Sequence, residues 1–251
     1  MSARRRILIT GLHGTVAPYV AKAAEKQGYH VVSWSRDIVE PTSLGDANMF
    51  LFRMNLDAIV HCASGPEVWG GIMAHFAAKN NIPFLFTSSV MVFSDRREGP
   101  YGIFDPADSI EEYGLYKMRC EEAIRDNNRK ACIIRLGWQI AESGGGNHMV
   151  NYLDQQQKQK GFVECSNEWF PACNFITDTA DIIMKCINER WYGLFHLDGN
   201  CEDRYTYAEI AEKLKKKLHK DWNIKIVNNY VHDQRMKDEY LPVIRNSAYL
   251  D

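Results

Sequence analysis

The chain has 251 residues, of which 45% are hydrophobic and 25% are charged, and its formal net charge at pH 7 is −2. This length and apolar content allow one large α/β unit with a small appended lobe, and the nearly balanced charge gives no electrostatic reason to expect a nucleic-acid partner. No apolar run reaches bilayer-spanning length and no signal peptide precedes the first strand, so we expect a cytoplasmic protein without a membrane partner.

Short apolar runs alternate with amphipathic stretches along the chain. The runs predicted as strands are Ile7–Thr10, His30–Trp34, Ala58–Cys62, Pro83–Thr87, Ala131–Arg135 and Gly193–Leu197. The stretches predicted as helices lie near 17–27, 67–80, 111–128, 147–160, 178–190 and 206–219. Such alternation predicts an α/β fold with a doubly wound parallel sheet, and near-continuous apolar strands agree with burial of the sheet on both faces.

The first predicted strand runs into a turn rich in small residues, followed by a helix. Glycines let the backbone turn sharply and approach a pyrophosphate, while the amides and positive dipole end of the helix attract the anion. A small Ala17 stands where a third glycine would ease the packing of helix on strand. A dinucleotide-binding loop is therefore predicted, and an ordinary tight turn is the alternative. The predicted cofactor-binding residues of this loop are Gly11, His13, Gly14, Thr15 and Val16.

The end of the second predicted strand bears on the choice of cofactor. A carboxylate at this position binds the ribose hydroxyls of NAD, whereas the 2′-phosphate of NADP requires a cation. Ser35 and Arg36 come first here, which favours NADP(H). Asp37 follows directly, so NAD(H) stays an alternative.

Tyr113 and Lys117 are four residues apart on a predicted helix, which places a phenol and an ammonium on one face. A phenol with a pKa of about 10 is a poor acid at neutral pH, and a nearby Lys⁺ favours phenolate and lowers that pKa. Ser89, at the end of an earlier apolar run, strengthens the interpretation of this pair as part of a catalytic site. Ser88 competes with Ser89 for this role.

The seven cysteines show no Cys-x-x-Cys spacing, and several lie in apolar runs. This pattern is typical of small buried side chains in a reducing compartment. The eight histidines, including His61 and His148, show no metal-ligand spacing, so we expect no metal site.

Taken together, these motifs resemble the extended short-chain dehydrogenase/reductases, and within them the dTDP-4-dehydrorhamnose reductase-like branch. The resemblance covers nearly the whole chain, and the matching stretches are ILITGLHGTVA at 7–17, DAIVHCAS at 57–64, TSSVMVF at 87–93, EYGLYK at 112–117, IIRLGW at 133–138, NEWFPACNFITDTADI at 167–182 and GLFHLDG at 193–199. It implies a Rossmann-type fold in which residues 1–251 form one unit. Within that unit, the implied dinucleotide-binding core covers about 1–137, and a substrate lobe comes from 138–176 and 199–251.

The resemblance also implies roles for individual residues. The family's catalytic set falls on Ser89, Tyr113 and Lys117, of which Ser89 also contacts substrate and the other two also contact the cofactor. Ala63 and Ser64 join the cofactor set, and Trp138 and Asn147 match sugar-contacting positions.

The implied activity is NAD(P)H-dependent reduction of a keto group on a nucleotide-linked sugar. Epimerase or dehydratase chemistry of the same superfamily is one alternative, and a non-catalytic dinucleotide-binding regulatory subunit is another. The chain departs from the family's Ser-Thr-Asp-Tyr-Val-Phe stretch, which reads SSVMVF at 88–93 and loses a polar and an aromatic group near the sugar. An altered sugar or reaction therefore stays open. Tyr205, Tyr207 and Trp222 would frame either the substrate lobe or a homodimer contact.

Overall fold

A computed structural model gives the fold of residues 4–143 and 145–251. Its main sheet has six parallel strands in the order β10-β5-β4-β3-β1-β2. These strands are β1 (Arg6–Thr10), β2 (His30–Ser33), β3 (Ala58–His61), β4 (Phe84–Ser89), β5 (Cys132–Leu136) and β10 (Gly193–Leu197). The predicted α/β fold with a Rossmann-type parallel sheet is confirmed.

Helices cover both faces of this sheet. The helices on the sheet are α1 (Ala17–Lys26), α2 (Leu44–Met54), α3 (Glu67–Lys79), α4 (Glu112–Asn127) and α6 (Ile176–Asn188). Three others, α5 (Met149–Lys160), α7 (Tyr207–Lys217) and α8 (Ser247–Leu250), pack in a separate cluster, and a 3₁₀ turn covers Val90–Val92. In β1, Ile7 and Ile9 belong to the core shared with α1 and α6, whereas Leu8 belongs to the core shared with α2, α3 and α4. Alternate side chains of one strand thus enter two separate cores.

The strand order reverses between β1 and β3. From β1 the chain moves outward to β2 and then returns to the other side of β1 to form β3. Connections leave β1 and β3 in opposite directions at this point, which opens a crevice at the carboxyl ends of the strands. The loop that begins at Gly11 and the residues after β3 lie there.

Short paired strands follow β5 and are supported by a hydrophobic cluster of their own. The pairs are β6 (Trp138–Ile140) with β9 (Cys173–Phe175), β7 (Val163–Ser166) with β11 (Ile224–Val227), and β8 (Trp169–Phe170) with β12 (His232–Asp233). Leu153 of α5, Leu214 of α7 and Trp222 are buried in this cluster. Segments distant in sequence therefore pack together beside the crevice.

All seven cysteines are free thiols, and five of them are buried. Over residues 4–143 and 145–251, no helix is long and apolar enough to cross a bilayer. Within the same ranges, no group of three or more His, Cys, Asp and Glu side chains is arranged so that it could hold a metal ion.

Candidate active site

A cleft of about 1740 Å³ runs along the carboxyl ends of the central strands. It brings together every residue that the sequence predicted for the site. The residues on its wall from that set are Gly11, His13, Gly14, Thr15, Val16, Ser35, Arg36, Ala63, Ser64, Ser89, Tyr113, Lys117, Trp138 and Asn147. Their roles stay predictions, but their convergence is a property of the fold.

The turn after β1 has the geometry that a phosphate-binding loop requires. Gly11 has φ of +82°, and a Cβ at this position would lie 2.9 Å from the backbone nitrogen of Ala63, so only glycine fits. The Gly14 amide donates to the Gly11 carbonyl at 2.8 Å and closes the turn. Helix α1 then begins at Ala17 without a cap from any described side chain, so the positive end of its dipole is left for an anion. These residues fit a dinucleotide pyrophosphate.

Ser35, Arg36 and Asp37 follow β2 and line the cleft beyond this loop. Trp34 fixes the turn, because its indole Nε1 donates to the Val39 carbonyl at 2.9 Å. The side chains of Arg36 and Asp37 are exposed, so both are accessible to a ribose or its phosphate.

Ser88 and Ser89 have different partners. The Ser88 hydroxyl donates to Oε1 of Glu121 at 2.6 Å and is used inside the protein. The Ser89 hydroxyl accepts from the Met91 amide at 3.2 Å, and it lies close enough to the Tyr113 hydroxyl to lower the pKa of that phenol. Ser89 is therefore the serine that lies beside the Tyr113 hydroxyl.

Tyr113 lies at the start of α4 and is 48% exposed. Burial of part of the ring raises the pKa of this phenol, and the hydrogen bond with Ser89 offsets only part of that rise. Lys117 is not among the groups that shift this pKa, so the expectation that it lowers the pKa of Tyr113 is wrong. The reason is geometric, because the Lys117 ammonium lies 5.7 Å from the Tyr113 ring centre and is engaged elsewhere.

Lys117 is almost completely buried, at 3% exposure. Its ammonium donates to the Thr87 carbonyl at 2.9 Å and lies 4.7 Å from the centre of the Phe86 ring. Burial lowers the pKa of Lys117. The same ammonium, together with burial, lowers the pKa of His61 to about 3.

A buried ion pair holds α4, the helix that carries Tyr113 and Lys117, against the sheet. Arg135 of β5 donates from Nε and Nη2 to the two carboxylate oxygens of Glu121, each at 2.9 Å. Burial alone would raise the pKa of Glu121, but Arg135 and Ser88 together outweigh it and lower that pKa. The two parallel hydrogen bonds fix the position of α4 and stabilise the charge of the Glu121 carboxylate.

The glycine-containing loop at 143–147 packs on the phosphate loop. The Asn147 amide donates to Oγ1 of Thr15 at 2.9 Å, and the Tyr19 hydroxyl donates to the Ser143 carbonyl at 2.9 Å. Gly146 has φ of +104°, and a Cβ there would lie 2.7 Å from Oγ1 of Thr15. Gly144 lies outside the described residues. These contacts hold Asn147 at the cleft, next to the loop that begins at Gly11.

Four aromatic side chains form one side of the cleft, and we call them the aromatic wall: Trp138, Tyr152, Trp169 and Tyr230. The Trp138 ring centre lies 5.3 Å from that of Tyr152 and 6.2 Å from that of Trp169. The Tyr230 ring centre lies 5.4 Å from that of Trp169. Sequence analysis named only Trp138, because the other three lie in separate segments with no shared spacing.

The relatives of this chain include a protein named as a reductase and one named as a subunit of methionine adenosyltransferase. The chain is 27% identical to "Probable low-salt glycan biosynthesis reductase Agl14" of Haloferax volcanii, over 82% of this chain and 78% of that protein. It is 28% identical to "Methionine adenosyltransferase 2 subunit beta" of Bos taurus, over 82% of this chain and 70% of that protein.

The fold matches a crystal structure of dTDP-4-dehydrorhamnose reductase from Bacillus anthracis, solved in complex with NADP, with a TM-score of 0.82. The match covers 98% of this chain and 97% of that one at 16% sequence identity, so it is a likeness of fold. The family model described as "RmlD substrate binding domain" matches residues 69–237. The resemblance found in the motifs is confirmed, and the chain belongs to the RmlD substrate binding domain family.

Proposed function

We propose that this protein is an NAD(P)H-dependent reductase of a keto group on a nucleotide-linked sugar. The observation that carries the proposal is the meeting of Ser89, Tyr113 and Lys117 in one cleft with the phosphate-type loop at Gly11. Membership of the family supports it, as does the likeness to a reductase solved with NADP.

The proposed chemistry divides among three side chains. A bound dihydronicotinamide would supply the hydride. Ser89 hydrogen-bonds the carbonyl oxygen as negative charge builds on it, and Tyr113 delivers the proton from its hydroxyl. Burial raises the pKa of Tyr113, so its hydroxyl is protonated at neutral pH but is a weaker acid than a free phenol. Lys117 would hold the nicotinamide ribose.

NADP(H) is the favoured cofactor in this proposal, because Ser35 and Arg36 come before Asp37 at the end of β2. NAD(H) is the alternative, with Asp37 as its ribose ligand. Residues 138–176 and 199–251 are proposed to form the substrate lobe over the core of 1–137. Within that lobe, Trp138 and Asn147 would contact the sugar.

A dinucleotide-binding regulatory subunit is the second candidate. The observation that favours it is the similarity to a protein named as a subunit of methionine adenosyltransferase. The two candidates differ in one requirement: a regulatory subunit needs the dinucleotide site but no proton donor beside it.

The test is turnover of NADPH with a panel of nucleotide-linked keto sugars, compared between the parent protein and Tyr113→Phe. The variant keeps the ring, so NADPH affinity should change by less than about twofold, whereas turnover should fall by about two to four orders of magnitude. Tyr192→Phe, an exposed tyrosine beside the amino end of β10, is the matched control and should keep full activity. Full activity in Tyr113→Phe would refute the assignment. NADPH binding without turnover of any sugar would favour the regulatory subunit.

A further inference from the structure

Gln139 is a buried polar side chain on the wall of the cleft. It is the middle residue of β6 and is 5% exposed. Its neighbours in the strand, Trp138 and Ile140, pack with the hydrophobic cluster beside the cleft. Because successive side chains of a strand point to opposite faces, Gln139 points away from that cluster. It lines the cleft instead.

The backbone that carries Gln139 is fixed by its neighbours. The Trp138 amide donates to the Ala172 carbonyl at 2.7 Å, and Gln139 pairs with Asn174 of β9. A Cβ at Gly137 would lie 2.3 Å from the Ala172 carbonyl oxygen, so the chain approaches its neighbour as closely as glycine permits. The side-chain Nε2 of Gln139 donates to the Gly137 carbonyl at 3.0 Å, which holds the amide in one orientation.

The side-chain oxygen of Gln139 has no hydrogen-bond partner among the described residues. On the described part of the cleft wall, three buried side-chain atoms lack such a partner: Nε1 of Trp69, Nε1 of Trp169 and Oε1 of Gln139. The two indole nitrogens can only donate, so Gln139 supplies the acceptor of this set. Buried polar groups in folded proteins are nearly always paired, and an unpaired acceptor on a cleft wall indicates a donor on the ligand.

Gln139 borders the reacting end of the cleft. Leu136 pairs with Ser89 across β5 and β4, and both residues line the cleft. Gln139 follows Leu136 by three residues, and three residues of extended chain span about 10 Å. Ser89 is the residue proposed to bind the carbonyl oxygen, so Gln139 lies on the same end of the cleft as the reacting carbonyl.

We propose that Gln139 is a specificity-determining residue, whose Oε1 accepts a hydrogen bond from a hydroxyl group on the carbon beside the reacting carbonyl. This inference rests on the proposed function and narrows its substrate class to a nucleotide-linked α-hydroxy ketone. A site with a buried acceptor rejects an analogue that lacks the donor, because the acceptor then stays unpaired and out of water. In a 4-keto hexose linked through C1, this hydroxyl is on C3, since C5 is bonded to the ring oxygen.

The test compares kcat/KM at saturating NADPH for a dTDP-linked 4-keto hexose and for its 3-deoxy analogue. The parent protein should favour the hydroxyl-bearing sugar by about tenfold or more. Gln139→Met keeps an unbranched side chain of similar length and removes the acceptor. It should lower kcat/KM for the hydroxyl-bearing sugar by about tenfold and change that for the 3-deoxy sugar by less than about twofold. Gln155→Met, at an exposed position of α5 outside the cleft wall, is the control and should keep the parent's preference.

The carboxamide NH₂ of a bound nicotinamide is another donor at this end of a dinucleotide site. An NADPH analogue with an acetyl group in place of the carboxamide separates the two donors. Gln139→Met should bind NADPH and this analogue within about twofold of the parent's affinities. A loss of affinity for NADPH that the acetyl analogue does not show would overturn the sugar hydroxyl as the donor.

Equal kcat/KM of the parent protein for the two sugars would also overturn the proposal, and this comparison holds even if Gln139→Met fails to fold. An equal loss on both sugars in Gln139→Met would show that Gln139 only supports packing, with the same consequence. Each of these results leaves the reductase standing if turnover still depends on Tyr113. Absence of turnover of any keto sugar by the parent protein would overturn both proposals.

Discussion

At the scale of single residues, Ser88 and Ser89 show how neighbouring hydroxyls acquire different partners. Successive side chains of β4 point to opposite faces of the sheet. Ser88 therefore meets Glu121, while Ser89 meets Tyr113. The sequence motif alone could not decide which serine belongs to the candidate site. The reason is that Glu121, which binds the Ser88 hydroxyl, lies on α4 and meets Ser88 only when this helix packs on the sheet.

Arg36 supports a prediction on cofactor choice. Arg36→Ala should weaken NADPH binding by about 1–3 kcal/mol, because a charge-assisted contact to the 2′-phosphate is lost, and should leave NADH binding unchanged. Calorimetric titration with each cofactor measures the difference. Arg53→Ala, which removes an exposed arginine from α2 outside the cleft, is the control. Equal affinity of the parent protein for NADPH and NADH would remove the basis for an NADP site.

At the scale of elements, α4 matters because it carries both Tyr113 and Lys117. The Glu121–Arg135 pair is buried on both sides, with 3% and 4% exposure of the two side chains. Glu121→Leu would leave the Arg135 guanidinium buried with its main partner removed, so we expect a loss of about 3–5 kcal/mol in the free energy of unfolding, measured by urea denaturation. Glu122→Leu, at the exposed neighbouring position, should change it by less than about 0.5 kcal/mol. Similar values for the two variants would contradict the anchoring role.

His61, the last residue of β3, predicts a pH dependence of stability. Its Nδ1 lies 2.7 Å from Oγ1 of Thr10, and burial, with the charge of Lys117, lowers the pKa of His61 from 6.5 to about 3. Between these values the unfolded chain binds a proton that the folded protein does not. The stability contribution is therefore complete above pH 6.5 and is lost as the pH falls towards 3.

This effect amounts to about 2 kcal/mol of unfolding free energy between pH 7 and pH 5 for a single group. Denaturation curves give the free energy of unfolding at pH 7 and at pH 5. The difference between these two values should be smaller for His61→Asn than for the parent protein. His30→Asn, at an exposed position, serves as the control and should keep the parent's dependence. An unchanged pH dependence in His61→Asn would show that His61 does not carry the effect.

The elements were predictable where the pattern was strong. All six strands of the sheet and six helices were predicted near their observed positions, because buried parallel strands read as apolar runs. Helix α2 was missed; its apolar residues do not all mark a buried face, because Leu44 and Phe52 are exposed whereas Ala47 and Leu51 are buried. A strand of two residues, such as Trp169–Phe170, is too short to show the alternation of apolar and polar residues by which strands are predicted.

At the scale of the whole molecule, the glycine loop of the cleft was easier to predict from the sequence than the aromatic wall. The phosphate loop is one contiguous turn that begins at Gly11, so local sequence shows it. The aromatic wall is assembled from β6, α5, β8 and the segment before β12, and Tyr230 reaches it only through the fold. The sequence did not decide whether Tyr205, Tyr207 and Trp222 belong to the substrate lobe or to a dimer contact. Of these, Tyr207 and Trp222 are buried in the hydrophobic cluster beside the cleft.

The central claim is net hydride transfer to a sugar carbonyl with Tyr113 as proton donor, and the most direct test follows a label. NADPH carrying deuterium at the transferred position of C4 is incubated with a nucleotide-linked keto sugar, and the product is analysed by mass spectrometry. We predict one deuterium in the reduced sugar for each NADP⁺ formed, and none above background with Tyr113→Phe on the same timescale. Conversion of the sugar without net NADPH consumption would show epimerase or dehydratase chemistry. Bound NADPH that never transfers its label to any sugar would contradict the account and favour a regulatory subunit.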